Sequence, residues 1–214
     1  MLAVDKLVVD IGGSRILREV SLTVGAGELV CLVGRNGAGK STLLRVIAGE
    51  LHPEDGSIRT AKGVRIGYVQ QEAPGGEATL IDWVLSADTE RTDLLAEAET
   101  AEDPGRIADI QMRLVDIEAH SAPARAAQIL AGLGFDAAAQ ARPCRDFSGG
   151  WRMRVALAAV LFLEPEVLLL DEPTNYLDLE GTLWLESYLK SYPHTVLIVS
   201  HDRDLLNRVV DEIV

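Results

Sequence analysis

The chain of 214 residues has a hydrophobic content of 48%, 25% charged residues and a formal net charge of −13. This acidity excludes the broad basic surface with which most nucleic-acid binders hold phosphates. No stretch reaches the roughly 18 uncharged apolar residues of a membrane helix, so we expect no insertion into a membrane. The two cysteines, Cys31 and Cys144, suggest no disulfide framework and fit a cytoplasmic location.

The N-terminal region is predicted to form antiparallel β-strands. Apolar and polar residues alternate in "LVVDIGGSRILREVSLTVGAGE" (7–28), and Gly12 and Gly13 mark a turn. The segment "GSIRTAKGVRIGYVQQ" (56–71) has the same pattern. We therefore expect an antiparallel β lobe in this part of the chain.

Three apolar runs end in glycine or polar residues, as buried parallel strands do: "LVCLVG" (29–34), "VLLLDE" (167–172) and "TVLIVS" (195–200). A helix is expected after each run, beginning near Lys40, Leu179 and Asp202. Alternating strands and helices predict an α/β fold with a mostly parallel sheet and with ligands at the carboxyl ends of its strands.

A phosphate-binding loop, and with it a P-loop NTPase core, is predicted where the first run ends. The segment "GRNGAGKST" fits G-x-x-x-x-G-K-[ST] and opens a helical pattern. Backbone amides would surround phosphate oxygens, Lys40 would reach the β- and γ-phosphates, and the Ser41 hydroxyl would bind Mg²⁺. The alternative is a glycine-rich turn with an incidental lysine. The predicted nucleotide-binding residues of the loop are Gly34, Arg35, Asn36, Gly37, Ala38, Gly39, Lys40, Ser41 and Thr42.

Residues 75–150 are expected to form a helical subdomain, with a short arm-like segment, inserted between 1–74 and 151–214. This segment holds 14 acidic and six basic side chains. Its apolar residues recur at the spacing of a buried helix face, at Ile107, Ile110, Leu114 and Ile117.

The segment "FSGGWRMRV" (147–155) is predicted to open a helix that ends before Pro165. Ser148, Gly149 and Gly150 would present a hydroxyl and free amides at the helix N-terminus, which suits a phosphate. A plain N-cap explains Ser148 equally well but leaves the second glycine unexplained. The residues of 151–154 are expected to pack or to carry solvated charge.

Two carboxylates end the second apolar run. Asp171 can hold Mg²⁺ directly or through water, and Glu172 can polarise a water for attack on the γ-phosphate. We therefore predict a metal ligand at Asp171 and a general base at Glu172. The alternative is an exposed acidic turn.

Two further polar side chains are predicted at the same edge. His201 follows the third run and can donate a hydrogen bond to the γ-phosphate, although a structural cap is the alternative. Gln71 ends a strand-like segment, and its amide could reach Mg²⁺ or the attacking water.

Taken in this order, GRNGAGKS, Gln71, FSGGW, VLLLDE, NYLD and SHD resemble the motifs of the nucleotide-binding domain of the ATP-binding cassette superfamily, over the whole chain. The segments "SGGWRMRVALAAVL", "VLLLDEPTNYLDL", "WLESYLKSY" and "SHDRDLL" are similar to the ABC-F subfamily, soluble twin-cassette ATPases that act on ribosomes. Within that subfamily, the chain looks like the first of the two cassettes.

The resemblance implies an ATPase that uses ATP and Mg²⁺, with a second cassette as partner in the same polypeptide or in a homodimer. In this family the Ser-Gly-Gly signature faces the ATP of the opposite cassette, which assigns that contact to Ser148, Gly149 and Gly150. Asp178 matches the D-loop aspartate. The isolated chain is then expected to hydrolyse ATP slowly, and the full-length protein to act on the ribosome. Because the chain ends on the apolar run "VVDEIV", we expect a fragment of a longer twin-cassette protein.

Three departures from the family pattern bear on these expectations. Tyr176 stands where the family usually has His, and Ile11 stands near the place of an aromatic residue that stacks on adenine, which predicts weaker recognition of the base. The arm-like segment 86–103 holds seven carboxylates and one arginine. Phosphates would repel it, which argues against direct contact with rRNA.

Two other functions stay open at this point. The ATP-hydrolysing subunit of a membrane transporter would use the same chemistry. A scaffold that uses ATP only as a clamp would not need the base Glu172 or His201.

Overall fold

The structure, a computed structural model, describes residues 1–69 and 74–213, without the side chains of residues 203, 204 and 207. The chain forms two compact units. One comprises Met1–Gln70 and Glu164–Val214, and the other comprises Gln71–Leu163. The sequence placed the divisions after residues 74 and 150 instead.

The first unit contains a three-stranded antiparallel sheet of order β2-β1-β4: β1 (Leu2–Ile11), β2 (Ser14–Val24) and β4 (Asp55–Thr60). Gly12 and Gly13, with φ of 59° and 80°, form the two-residue turn between β1 and β2. Both turn positions need positive φ in this type of hairpin, which explains the glycine pair.

The second sheet of this unit is parallel, of order β5-β6-β7-β3-β8: β3 (Leu29–Leu32), β5 (Ile66–Tyr68), β6 (Val167–Asp171), β7 (Thr195–Val199) and β8 (Glu212–Ile213). The three apolar runs are thus neighbouring parallel strands, as predicted. The prediction of antiparallel strands in 56–71 was wrong for Ile66–Tyr68, because β5 pairs with β6 in parallel. Three residues are too short to show a strand's pairing partner by alternation.

Three helices complete the first unit: α1 (Lys40–Ile47), α8 (Leu179–Lys190) and α9 (Arg203–Val209). Each begins within a few residues of the end of a preceding parallel strand or of the turn that follows it. Apolar residues of α1, including the fully buried Leu44, pack into one core with β1, β3, β6 and β7. This core places the carboxyl ends of β3, β6 and β7 at one edge of the sheet.

The second unit is helical: α2 (Leu80–Ser86), α3 (Thr89–Ala98), α4 (Pro104–Asp116), α5 (Ala122–Gly132), α6 (Ala137–Gln140) and α7 (Gly149–Leu163). Its second boundary lies at residue 163 because α7 packs against α2 and α5. In the described parts of the chain, no helix is both long enough and apolar enough to cross a membrane.

The helices α3 and α4 share a small apolar core of their own. Ile110, Leu114 and Ala119 are buried in it, and Ile117 packs against it. Ile107, which the sequence placed on the same face, is 38% exposed. That position lies at the edge of the buried face, where helical spacing alone does not decide burial.

Candidate functional site

The loop between β3 and α1 has the backbone geometry of a phosphate cradle. Gly37 and Gly39 have φ of 80° and 96°, a region that favours glycine. Gly39 is the residue before the first turn of α1, so the amides at this helix end point out of the loop. The Nζ of Lys40 donates hydrogen bonds to the carbonyl oxygens of Gly34, at 2.9 Å, and Arg35, at 3.2 Å. The lysine is therefore held over the loop.

Gly39 also lies in close contact with strand β2. A Cβ atom at this position would come within 2.6 Å of Leu17 Cδ2 and 3.2 Å of Ile16 Cγ2. Any larger residue would have to push the loop away from the antiparallel sheet. Position 39 thus needs glycine for both its φ and its packing.

The loop opens onto a cavity of about 600 Å³ within the first unit. Its lining combines six residues of the loop and α1 with the last residue of β6 and three residues that follow β6 or β7. These are Asn36, Gly37, Gly39, Lys40, Ser41, Thr42, Asp171, Glu172, Asn175 and His201. Of the predicted residues, Gly34, Arg35 and Ala38 belong to the loop without lining the cavity. Gly34 and Arg35 instead hold Lys40 through their carbonyls.

Glu172 and His201 contact each other across the ends of β6 and β7. Glu172 Oε2 accepts a hydrogen bond from the backbone N–H of His201 at 3.3 Å, and Oε1 lies 3.4 Å from His201 Nε2. The same Nε2 lies 3.1 Å from Asn36 Oδ1 in the phosphate loop. The two predicted catalytic side chains are therefore adjacent, and one of them touches the loop.

The backbone of Glu172 lies in the left-handed region, with φ of 48° and ψ of 53°. For a residue other than glycine this costs about 1–2 kcal/mol. The conformation is held by a 2.8 Å hydrogen bond from its N–H to the Val199 carbonyl oxygen. Backbone strain of this kind concentrates at functional sites.

Asp171 ends β6 beside Tyr68 on β5. Burial, and then the negative charge of Asp171, raise the pKa of the Tyr68 hydroxyl to about 12. The hydroxyl is buried and makes no hydrogen bond to the described residues. The Asp171 carboxylate and the Ser41 hydroxyl are hard oxygen donors in one cavity, which is what Mg²⁺ prefers.

Sequence reasoning missed Ile16, Asn175 and Val199, which also line the cavity. Asn175 lies within the quoted NYLD segment, three residues after Glu172, and that position was a usable signal. Ile16 precedes Gly39 by 23 residues in the sequence, and its contact with that glycine depends on how strand β2 packs against the loop. Ile11, considered as a base-stacking position, ends β1 and is 44% exposed.

The Ser-Gly-Gly residues lie at the start of α7 in the second unit. The Ser148 carbonyl oxygen accepts a hydrogen bond from the Arg152 N–H at 2.9 Å, so Ser148 begins the helical pattern. Ser148 and Gly149 are exposed. A Cβ atom at Gly149 would meet no atom of the described residues within 4 Å, and its φ is not positive. Neither packing nor backbone geometry in the described residues requires glycine there.

Residues 151–154 were expected to pack or to carry solvated charge, and Arg154 packs, since it is only 8% exposed. Its Nη1 donates to the Leu133 carbonyl oxygen at 3.2 Å, and its guanidinium lies 4.1 Å from the ring centre of Trp151. Trp151 in turn packs edge-on against Phe135. Arg154 is thus part of the packing of the helical unit.

Two other predicted residues have different outcomes. Asp178 caps α8, because its Oδ1 accepts a hydrogen bond from the Gly181 N–H at 2.9 Å. Gln71, the predicted amide ligand, lies outside the described residues.

Comparison with known proteins places these features in context. The sequence profile described as "ABC transporter" matches residues 17–175. ATP-binding cassette sub-family F member 3 of Mus musculus is 43% identical over 99% of this chain and 30% of its own length. Probable ATP-binding protein YheS of Escherichia coli K12 is 41% identical over 100% of this chain and 34% of its own length. The chain thus spans about a third of the length of these relatives.

Solved structures agree on the fold. The ATP-binding subunit of an ABC transporter superposes with a TM-score of 0.71 at 23% identity, over 100% of this chain and 84% of that one. A dimeric ATP-binding cassette in a post-hydrolysis state, bound to ADP and Pi, gives a TM-score of 0.70 at 21% identity, over 96% and 90%.

Proposed function

The chain belongs to the ABC transporter family, and we propose that it is one cassette of a twin-cassette ABC-F protein that binds and hydrolyses ATP. Its two compact units together form this cassette. Relatives of the F subfamily above 40% identity support this assignment over a transporter subunit, for which the solved structure is 23% identical.

The observation that carries the proposal is the pairing of Glu172 and His201 in the cavity that the phosphate loop also lines. Amides of the loop and the Lys40 ammonium would hold the β- and γ-phosphates. The Glu172 carboxylate, fixed by the His201 backbone, would then accept a proton from the attacking water. His201 Nε2 would turn from Asn36 to the γ-phosphate oxygen and stabilise its negative charge.

The described residues also fit Mg²⁺. No group of three or more His, Cys, Asp or Glu among them could hold a metal alone. Ser41 and Asp171 would bind the ion together with phosphate oxygens and water, the arrangement that Mg²⁺ usually takes. When bound, the ion neutralises charge that develops on the phosphates.

A second cassette would complete the site. The space in front of Gly149 is free of the chain's own described atoms, and exposed amides at a helix start suit an incoming phosphate. We assign Ser148, Gly149 and Gly150 to the nucleotide of the partner cassette on this basis.

Exposed apolar residues in the first unit support the same partner. Tyr176, Leu179 and Leu183 are 48%, 74% and 45% exposed, directly after the catalytic segment and at the start of α8. Large exposed apolar patches mark interaction surfaces. A patch beside the cavity would be covered when two cassettes close around ATP, with Asp178 at its centre.

The ribosome in the cytoplasm is the proposed target of the full-length protein, because the similar proteins belong to the F subfamily. The arm-like segment makes direct rRNA contact by this domain unfavourable. Co-sedimentation of the full-length protein with ribosomes, with ATP and with ADP, tests this part. Absence of ATP-dependent co-sedimentation would contradict it.

The ATPase proposal is tested by phosphate release at increasing concentrations of the chain. Because half of each site comes from a partner, the rate per molecule should rise with concentration. A rate per molecule that stays constant from nanomolar to high micromolar concentration would rule out the shared site.

A further inference from the structure

The helical hairpin of α3 and α4 has an outer face that nothing in the described chain covers. Ala108, Met112 and Val115, here called the outer strip, are exposed, and Met112 and Val115 are 60% and 65% exposed. At 3.6 residues per turn these three positions fall within about 60° of one another. They lie opposite Ile110 and Leu114, which fill the core of the hairpin.

Carboxylates border the outer strip along one side. Asp109 and Asp116 are exposed, and their spacing of seven residues places them on the same flank of α4. No hydrogen bond or ion pair to the described residues engages either carboxylate, although each lies near an arginine, Arg106 or Arg113. The strip is thus apolar along its centre and acidic along its edge.

The two arginines of α4 form ion pairs with carboxylates of α3. Arg106 binds both carboxylate oxygens of Glu97, at 2.6 Å each. Arg113 binds both of those of Glu90, at 2.5 and 3.0 Å. These bidentate pairs tie α3 to α4 and leave the flank negative.

We propose that the outer strip docks a basic amphipathic helix of a partner protein. Apolar side chains of that helix would cover Met112 and Val115, and its Lys or Arg residues would face Asp109 and Asp116. The strip runs for about 10 Å along α4, a straight ridge of the kind that packs against another helix.

Charge selects this occupant over three others. Nucleic-acid phosphates and anionic lipid headgroups would be repelled by the carboxylate flank. A second copy of the chain would bring the same two carboxylates against this face. A basic helix satisfies both the apolar centre and the acidic edge. This surface belongs to the helical unit, whereas the phosphate loop and the two catalytic candidates belong to the other unit, so the inference does not depend on the proposed function.

Binding is tested with a labelled peptide of about 18 residues built from leucine and lysine, with leucines at helical spacing. Fluorescence anisotropy of this peptide with the 214-residue chain should show saturable binding. A peptide of the same composition with strictly alternating leucine and lysine cannot form an apolar helix face, and its affinity should be at least about tenfold lower. Equal binding of both peptides would overturn the proposal, since it would show attraction by charge alone.

Two double variants locate the site. Met112→Ser with Val115→Ser removes the apolar centre and should weaken binding about tenfold or more. Asp109→Asn with Asp116→Asn removes the acidic edge and should weaken it severalfold. Since all four side chains are exposed, the variants should keep the thermal unfolding midpoint. Unchanged affinity in both would place the peptide elsewhere and overturn the proposal.

A matched control separates position from net charge. Glu99→Gln with Glu102→Gln removes the same charge from the loop between α3 and α4, away from the strip. This variant should bind the peptide within about twofold of the parent chain, because surface charges act mainly over the Debye length. A loss equal to that of the aspartate variant would count against docking on the strip.

Two further measurements decide between the occupants. A labelled double-stranded RNA of similar length, titrated with the chain in the absence of the peptide, should show no saturable binding, because the carboxylate flank repels its phosphates. Sedimentation velocity should show the same association state for the chain and for the Met112→Ser, Val115→Ser variant. Saturable binding of the RNA that this variant loses, or dissociation of a dimer by the variant, would replace the protein partner with RNA or with a second copy.

Discussion

The carboxylate of Glu172 contacts both the backbone N–H and the imidazole ring of His201. The His201 N–H donates to Glu172 Oε2 at 3.3 Å, and His201 Nε2 lies 3.4 Å from Oε1 of the same carboxylate. Because Glu172 precedes His201 by a whole helix and strand, this contact links the ends of β6 and β7. The proposed base is therefore positioned by a second strand as well as its own.

Glu172→Gln is expected to keep ATP binding and to lose about a hundredfold or more in turnover. The amide preserves the size of the side chain but cannot accept the proton of the attacking water. Single-turnover hydrolysis, measured beside nucleotide affinity, checks this. An unchanged rate would assign the base to another group.

Lys40→Ala should weaken the binding of ATP, in contrast to Glu172→Gln. The Nζ that the Gly34 and Arg35 carbonyls hold over the loop would no longer meet the phosphates. Calorimetry with ATP and Mg²⁺ should show at least about a tenfold loss in affinity. Lys62→Ala, at an exposed lysine of the same unit, is the control and should bind like the parent.

Gly149→Ala should leave the stability of the chain unchanged, because its Cβ would meet no described atom. It should nevertheless lower hydrolysis at concentrations where cassettes associate, because the methyl group would keep the partner's phosphate away. Gly134→Ala is the contrasting variant. Its φ of 96° and the Arg154 Nη1 atom 3.1 Å from the added Cβ predict a loss of about 1–2 kcal/mol in unfolding free energy. Urea unfolding separates the two.

Arg154→Met should lower the free energy of unfolding by about 1–3 kcal/mol. The variant fills similar space but leaves the Leu133 carbonyl oxygen without this donor and removes the cation above Trp151. Arg142→Met is the control, because that arginine also lies over a ring, Phe147, but is exposed. The control should lose less than about 1 kcal/mol. Similar losses in both would mean that the burial of Arg154 adds nothing.

Acid should weaken the first unit through the Glu166 carboxyl. Its hydrogen bonds with Arg65 lower the pKa of Glu166 from 4.5 to about 2. A carboxyl with a lowered pKa in the folded state stabilises the fold above its unfolded pKa, and the contribution is lost as pH falls from about 4.5 to about 2. Since the Glu166 side chain is 37% exposed, we expect about 1 kcal/mol. The free energies of unfolding of the parent and of Arg65→Gln, measured at pH 7 and at pH 3, test this. The difference between the two proteins should be smaller at pH 3.

Much of the core and of the site could be predicted because both depend on local patterns. Apolar runs that end in polar residues gave the positions of β3, β6 and β7. The motif order gave the resemblance to an ABC-F cassette, which the comparisons confirm. Six of the nine predicted loop residues and the two catalytic candidates line one cavity for the same reason, since parallel strands end together.

What could not be predicted depends on packing between distant segments. β5 is three residues long, and its parallel partner is about a hundred residues away. Arg154 is buried in contact with the Trp151 ring and the Leu133 carbonyl oxygen, and the sequence shows only that the residue is charged. Ile16 reaches the cavity only because β2 lies against Gly39. The left-handed backbone of Glu172 likewise has no residue-type signal, because glycine is what that region favours.

The close approach of Leu17 to Gly39 makes a buried methyl group an internal reporter of the phosphate loop. Leu17 belongs to β2 and is 4% exposed, and it does not line the cavity. A small displacement of the loop changes the surroundings of its Cδ2 methyl, since only 2.6 Å separates that carbon from the Cβ position of Gly39. The resonance frequency of this methyl group would record nucleotide-induced movement of the loop without any label in the site, and a leucine-selective isotope scheme suffices to observe it.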